Sequence, residues 1–236
     1  MNIEVCASPD LSGLFDLEGK VAVVVDILRA TSCMTAGIAE GVSAIRPVSD
    51  LEVCRGLMSE DYVGAAERNG AKVDGFDIGN SPFSYMDPEM KGAKVAVTTT
   101  NGTVAIERSK SAERIIIGSF LNLSSVASYV RKLGLDVVIV CAGWKGRPNL
   151  EDTLFAGALA EKLAGNYESS CDSLLMAKVL WEKAKLDLSA LVYKSAHVAR
   201  LKRLNIGKDI ELCMEIDRYG VVPEVNAEGE IVKAIF

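Results

Sequence analysis

The chain has 236 residues, 49% hydrophobic and 25% charged, with a formal net charge of −6 at pH 7. With no basic run of five or more residues it does not have the charge pattern of a nucleic-acid binder, and with no apolar run of about 18 residues it contains no expected membrane span. Six cysteines (Cys6, Cys33, Cys54, Cys141, Cys171 and Cys213) show no C-x-x-C spacing, which speaks against a zinc knuckle or a disulfide framework.

No Pro/Gly/Ser-rich linker divides the chain, so one catalytic-size domain over 1–236 is expected. The start MNIEVCASPD has neither a basic stretch nor a long apolar one, so no secretory signal is expected and a cytoplasmic location is the default. Oligomeric state is left open, with a symmetric homodimer as the base-rate choice.

Short β-branched runs at 21–25, 44–48, 62–66, 94–97, 114–117 and 136–140 read as buried strands. Between them, 31–40, 50–59, 104–109 and 122–132 carry helical spacing. This alternation predicts an α/β fold, a three-layer α/β/α sandwich with a mixed, largely parallel sheet. From about 149 the pattern turns mainly helical, over 150–164, 171–185, 196–204 and 210–216. Two last β-prone runs, 220–225 and 230–235, flank a turn at 226–229 and predict a hairpin adding antiparallel edge strands.

In open α/β sheets ligands bind beyond the carboxyl ends of the strands, so the residues that follow each strand matter most. They are polar: DILRAT after Val25, ERNG after Ala66, TTTNGT after Val97, GSFLN after Ile117 and CAGWKGRPNLED after Val140. The TTTNGT loop has the parts of an anion cradle, with Thr99, Thr100, Asn101 and Thr103 as donors and Gly102 allowing close backbone approach. It reads equally as a Thr-rich strand end turning into a helix capped by Thr100 or Asn101.

Asp26, at the end of a buried strand, can ligate a hard cation or attack phosphorus, or simply bond loop amides with Arg29 as its ion-pair partner. Asp152 and Glu151 open a helix behind a possible Asn149 cap. They either complement the helix dipole or, if one faces Asp26, complete a two-carboxylate metal site. Glu67, beside Arg68, is the third candidate metal ligand, with a structural salt bridge as the alternative. Arg29, Arg68 and Arg147 are planar forks at three strand ends, suited to a substrate with several oxyanions.

Rival chemistry is also legible. Cys141 to Arg147 spells C-x5-R, the spacing of thiol-dependent phosphatases, although Val140 stands where such enzymes often carry histidine and Pro148 where a hydroxyl residue is usual. His197 is the one histidine, which excludes a multi-histidine metal site within a single chain, and is read as a packing or surface residue. No G-x-S-x-G elbow occurs, and no G-x-G-x-x-G follows the first of these strands, against a serine hydrolase and a dinucleotide enzyme. A non-catalytic sensor of anionic metabolites uses the same cradle without hydrolysis.

The blocks VVDILRAT, AAERNGAKVDGFDIGNSP, VAVTTTNGTVAI, IGSFLNLSSVA and CAGWKGRPNLEDTLFAGAL, in that order, resemble the 2-phosphosulfolactate phosphatases. The likeness runs from about Val21 to Leu163 and continues in SAHVARLKRLNIGKDIELCMEID and VVPEV. It implies an α/β/α fold, a requirement for Mg²⁺, and hydrolysis of 2-phospho-3-sulfolactate to sulfolactate and phosphate, a step of coenzyme M biosynthesis. The roles expected here follow from chemistry: Asp26, Arg29 and Asp152 catalytic, Arg68, the 99–103 loop and Arg147 on substrate, and Asp26, Glu67 and Asp152 on the metal.

Overall fold

The run VAVVV at Val21–Val25 is buried at every position because it pairs in parallel on both sides, with 114–118 and with 137–141. An interior parallel strand has no solvent face, which is why the run does not alternate. The computed structural model describes residues 1–169, 171–204 and 206–236. Among them the strands are β1 (Ile3–Cys6), β2 (Val21–Val25), β3 (Ala44–Pro47), β4 (Tyr62–Arg68), β5 (Ala71–Lys72), β6 (Lys94–Thr98), β7 (Arg114–Gly118), β8 (Val137–Cys141), β9 (Pro223–Val225) and β10 (Ile231–Lys233). They form one mixed sheet in the order β1-β8-β2-β7-β9-β10-β3-β6-β4-β5.

The α-helices are α1 (Ala30–Glu40), α2 (Leu51–Leu57), α3 (Pro82–Tyr85), α4 (Gly102–Arg108), α5 (Leu123–Leu133), α6 (Leu150–Lys162), α7 (Asp172–Ala184), α8 (Leu188–Val192), α9 (Ala196–Leu201) and α10 (Gly207–Cys213). They lie on both faces of the sheet. One core joins α5, α6 and α7 to Val23 and Ile139; the other packs Met34 of α1 and Ile106 of α4 against Val24, Ile45 and Val97. In α5 the buried Leu123, Val126, Ala127 and Val130 recur at helical spacing, and Gly134, at φ 65°, ends the helix. This is the expected three-layer α/β/α sandwich.

Among the described residues β5, α3 and α8 have no counterpart in the expected pattern, and two further differences shape the sheet. Ile3–Cys6 is a strand that the reading missed; it pairs in parallel with β8 at the sheet edge. The β9–β10 hairpin is central, not peripheral: β9 pairs with β7, and β10 with β3. The central place is made tolerable for Glu224, which is buried, because Arg114 pairs with it, Nη2 lying 2.7 Å from Glu224 Oε2, and Tyr129 Oη donates a further bond to it at 2.9 Å.

This central hairpin positions the site. Three successive antiparallel pairings, β7–β9, β9–β10 and β10–β3, run the β3/β6/β4 block opposite to the β1/β8/β2/β7 block. Across this reversal the loops that follow β2 and β6 are nonetheless in contact. Asp26 after β2 and Thr99 to Gly102 after β6 meet there, against the start of α1.

Candidate active site

Beyond β2 the chain turns sharply into α1. The Asp26 N–H donates to Thr31 Oγ1 at 3.0 Å, and the Thr31 N–H donates back to Asp26 O at 3.0 Å. This reciprocal turn leaves the Asp26 carboxylate facing a polar pocket of about 130 Å³, lined also by Arg29, Glu67, Thr100, Asn101, His197 and Arg200. Gly102 makes room for it: a Cβ there would stand 2.8 Å from Asp26 Oδ2 and 2.6 Å from Ala30 Cβ. Burial first, then the neighbouring Glu67 and Glu151 charges, push the Asp26 carboxyl up to about 7, against the opposing effect of His197.

Asp152 is buried one step further in. Its Oδ1 accepts the Ile27 N–H at 2.9 Å, and its Oδ2 accepts the Gly143 N–H at 3.1 Å and Asn149 Nδ2 at 2.9 Å. Asn149 caps α6 through the Asp152 N–H at 3.0 Å, as its position suggests. Asp152 therefore ties the loop after β2 to the loop after β8, and it does not reach the pocket wall. Burial, followed by Asp26 and Glu151, raises its carboxyl well above the usual range.

Of the TTTNGT residues, Thr100 and Asn101 line the pocket. Thr99 and Thr103 are turned to each other: the Thr103 N–H donates to Thr99 Oγ1 at 3.2 Å, and Thr103 Oγ1 donates to Thr99 O at 2.9 Å. Asn101 occupies the N-cap position of α4 with no side-chain cap bond, and its Oδ1 instead accepts the Lys145 N–H at 3.3 Å. Thr100 Oγ1 and N–H donate to the Glu67 carboxylate, which also accepts the Gly70 N–H.

The three expected guanidiniums do not converge as free forks. Arg29 is buried with Nη1 2.5 Å from Asp209 Oδ2, and its Nη2 donates to Gly70 O at 2.6 Å; Asp209, not Asp26, is its ion-pair partner. Arg68 turns back onto Glu67 O at 2.7 Å and Thr98 Oγ1 at 3.1 Å. Arg147 is exposed and lines an adjoining pocket of about 210 Å³ that shares Trp144, His197 and Arg200 with the first.

The C-terminal helices supply what the sequence reading passed over. His197, read as a packing residue, lines the pocket and is held by Glu151, with Nδ1 2.5 Å from Glu151 Oε1 and both side chains buried. Arg200, one turn on, stands over Trp144, its guanidinium carbon 3.7 Å from the ring centroid. Spacing alone gave no sign of these partnerships, since 46 residues separate His197 from Glu151. The block SAHVARL was nonetheless visible as a stretch like that of the family.

The thiol route meets the structure badly. Cys141 is fully buried in the β8 core, and burial raises its thiol well above the ordinary value, so it is held as unreactive SH.

A divalent cation has partial fit to these residues. Glu151 Oε2 is buried without a hydrogen-bond partner among the described residues, Asp26 is crowded by like charge, and the pocket donors are oxygens, as a hard cation requires. No group of three or more His, Cys, Asp and Glu side chains is assembled at metal-binding spacing among the described residues. Asp26 and Glu67 face the pocket, so they would hold Mg²⁺, which keeps several waters and draws ligands from a substrate phosphate. No helix among the described residues is long and apolar enough to cross a membrane.

The family model described as 2-phosphosulpholactate phosphatase matches residues 6–228. A probable 2-phosphosulfolactate phosphatase of Caldanaerobacter subterraneus subsp. tengcongensis is 38% identical over 216 residues, covering 89% of this chain and 90% of that protein. One from Thermotoga petrophila is 39% identical over 207 residues, covering 88% and 89%, and one from Gloeobacter violaceus is 35% identical over 219 residues, covering 91% and 92%. By these matches over nearly the whole chain, the protein belongs to the 2-phosphosulpholactate phosphatase family of phosphoric monoester hydrolases.

Proposed function

We propose that the protein hydrolyses the phosphate monoester of 2-phospho-3-sulfolactate to sulfolactate and phosphate with Mg²⁺ as cofactor, the reaction that supplies sulfolactate to coenzyme M biosynthesis. The observation that carries this reading is the Asp26 carboxylate, buried at the end of β2 yet open to a polar pocket that Gly102 keeps clear. The printed names of the relatives support the substrate.

When bound, the cation neutralises phosphoryl oxygens and helps hold the group in line. Asp26 and Glu67 hold it in this scheme; Asp152 keeps the Ile27 and Gly143 loops in register behind Asp26. Thr100 and Asn101 face the phosphoryl group from the 99–103 loop. His197 donates Nδ1–H to Glu151, which leaves Nε2 as the ring nitrogen able to take a proton from attacking water or return one to the leaving oxygen. Arg29, paired with Asp209, is a rigid wall of the pocket, in the catalytic constellation by position.

The nucleophile is either water, with Asp26 on the cation, or Asp26 itself, in which case an acyl phosphate forms and residues other than Asp26 hold the cation. Trapping separates them: a single turnover quenched early and reduced with borohydride converts Asp26 to homoserine if its acyl phosphate forms, and a burst of phosphate with no trapped adduct means water attack. The reading as a whole is tested by phosphate release from a panel of phosphorylated hydroxy acids, with and without chelator and after thiol alkylation. Turnover of the sulfonated ester that is chelator-sensitive and alkylation-resistant is expected; binding without turnover would replace the enzyme with a sensor.

A further inference from the structure

2-Phospho-3-sulfolactate carries a carboxylate and a sulfonate besides its phosphate, and among the described residues that line the pocket Arg200 is the guanidinium with no committed partner. Arg29 is neutralised by Asp209, and Arg68 is spent on Glu67 O and Thr98 Oγ1. Arg200 lines the pocket that holds Asp26 and also the adjoining one. Its Nε is buried with no hydrogen-bond partner among the described residues. The carboxylate that acts on it, Glu151, is engaged with His197.

Trp144 makes this arginine directional. With the guanidinium carbon 3.7 Å from the indole centroid, the ring covers one side of the group and leaves its N–H donors to the remaining directions. A guanidinium so placed matches two oxygens of one oxyanion, and the aromatic face compensates for lost hydration. Lys145 Nζ, 4.9 Å from the same ring, adds positive potential. Burial lowers the Arg200 pKa, as befits a cation short of a counter-charge.

We propose that Arg200, standing over Trp144, is a second anion subsite of this pocket, which takes the acid group at the non-reacting end of the phosphate ester. The ligand class is a phosphorylated hydroxy acid bearing a sulfonate or carboxylate besides the phosphate. The proposal rests on the phosphatase reading above and adds the residue that selects among phosphate esters.

The test pairs hydrolysis with binding. For Arg200→Gln, kcat/KM on 2-phospho-3-sulfolactate is expected to fall roughly 10- to 100-fold, mainly through KM, the scale of one charged hydrogen-bonded contact. Turnover of propyl phosphate, which has no second acid, should stay within about 3-fold, on the scale of RT. 2-Phospholactate separates the sources: a penalty on both phospho acids assigns a carboxylate to Arg200, and a penalty on the sulfonated ester alone assigns the sulfonate. In calorimetry, 3-sulfolactate should bind the wild type and lose affinity in Arg200→Gln, with Arg200→Lys between them. Equal penalties on propyl phosphate and the sulfonated ester, or unchanged sulfolactate affinity in both variants, overturn the subsite. If the wild type hydrolyses no ester, the phosphatase reading fails, while the calorimetry still decides whether Arg200 holds the acid. Should Arg200→Gln fold poorly, Arg200→Lys and Trp144→Phe give the same comparison.

Discussion

His197 Nδ1 and Glu151 Oε1 lie 2.5 Å apart inside the protein, one from α9 and the other from the first turn of α6. A buried carboxylate holding one ring nitrogen fixes the tautomer and leaves the other nitrogen for chemistry. For His197→Gln, kcat is expected to fall about 10²- to 10⁴-fold with little change in KM. For Glu151→Gln a smaller loss is expected, and the acid–base limbs of the kcat profile should move. Steady-state kinetics across pH checks both; a His197→Gln enzyme with wild-type kcat removes His197 from proton transfer.

The raised Asp26 carboxyl predicts a pH-dependent stability. Its folded pKa of about 7 lies above the ordinary 3.8, so the folded state binds the proton more tightly than the unfolded one. Asp26's share of stability is present below about pH 4 and is lost as pH rises through about 7, with an upper bound of about 4 kcal/mol from the size of the shift. Metal-free wild type should therefore show a falling Tm over that window, and Asp26→Asn a flatter one. Adding Mg²⁺ at pH 8 should raise the Tm of the wild type more than that of Asp26→Asn. Thermal scans in chelator and in excess Mg²⁺ measure this; identical pH slopes in the two proteins would discount the burial effect.

At Gly102 an added methyl meets Ala30 and the Asp26 carboxylate at 2.6 and 2.8 Å, so one of them must move. Gly102→Ala is expected to cost about 1–3 kcal/mol of stability and to depress kcat/KM about 10²-fold, since displacement of a reacting group by about 1 Å is costly. Gly56→Ala is the control: nothing lies within 4 Å of a Cβ there, and the helical site should gain roughly 0.5–1 kcal/mol. Equal activity in both variants would sever Gly102 from the site.

Asp209→Asn leaves the buried Arg29 without its counter-charge and weakens the link between α10 and the pocket, where Asp209 also accepts from Ser81 Oγ at 3.0 Å. Breaking a buried pair from one side costs about 3–5 kcal/mol. Denaturant unfolding should show a shift of that size, with KM rising as the Arg29 wall loosens. A shift below about 1 kcal/mol would mean that the pair is effectively solvated.

The strands and helices around the site were legible because each carries its own period. VAVVV reads as a buried strand and 122–132 as a helix by its spacing, without knowledge of any neighbour; the structure has them at Val21–Val25 and Leu123–Leu133. Asp26, the 99–103 loop and Asn149 were found the same way, as polar residues at strand ends and helix starts. The partnerships were not. That Arg29 pairs with Asp209 across 180 residues, that Asp152 ties Ile27 to Gly143, and that the hairpin sits at the centre of the sheet follow from where distant segments pack.

The reason is a difference of range. Backbone periodicity, capping and turn chemistry act over a few residues, so the amino-acid order by itself determined the elements, the layered architecture and the polar strand ends. A side chain's role depends on which charge or donor stands within about 3 Å of it, and that spacing is set by sheet order and twist. Tertiary structure alone therefore decided that His197 and Arg200 face the pocket, while Arg68 and Asp152 are consumed in holding it together.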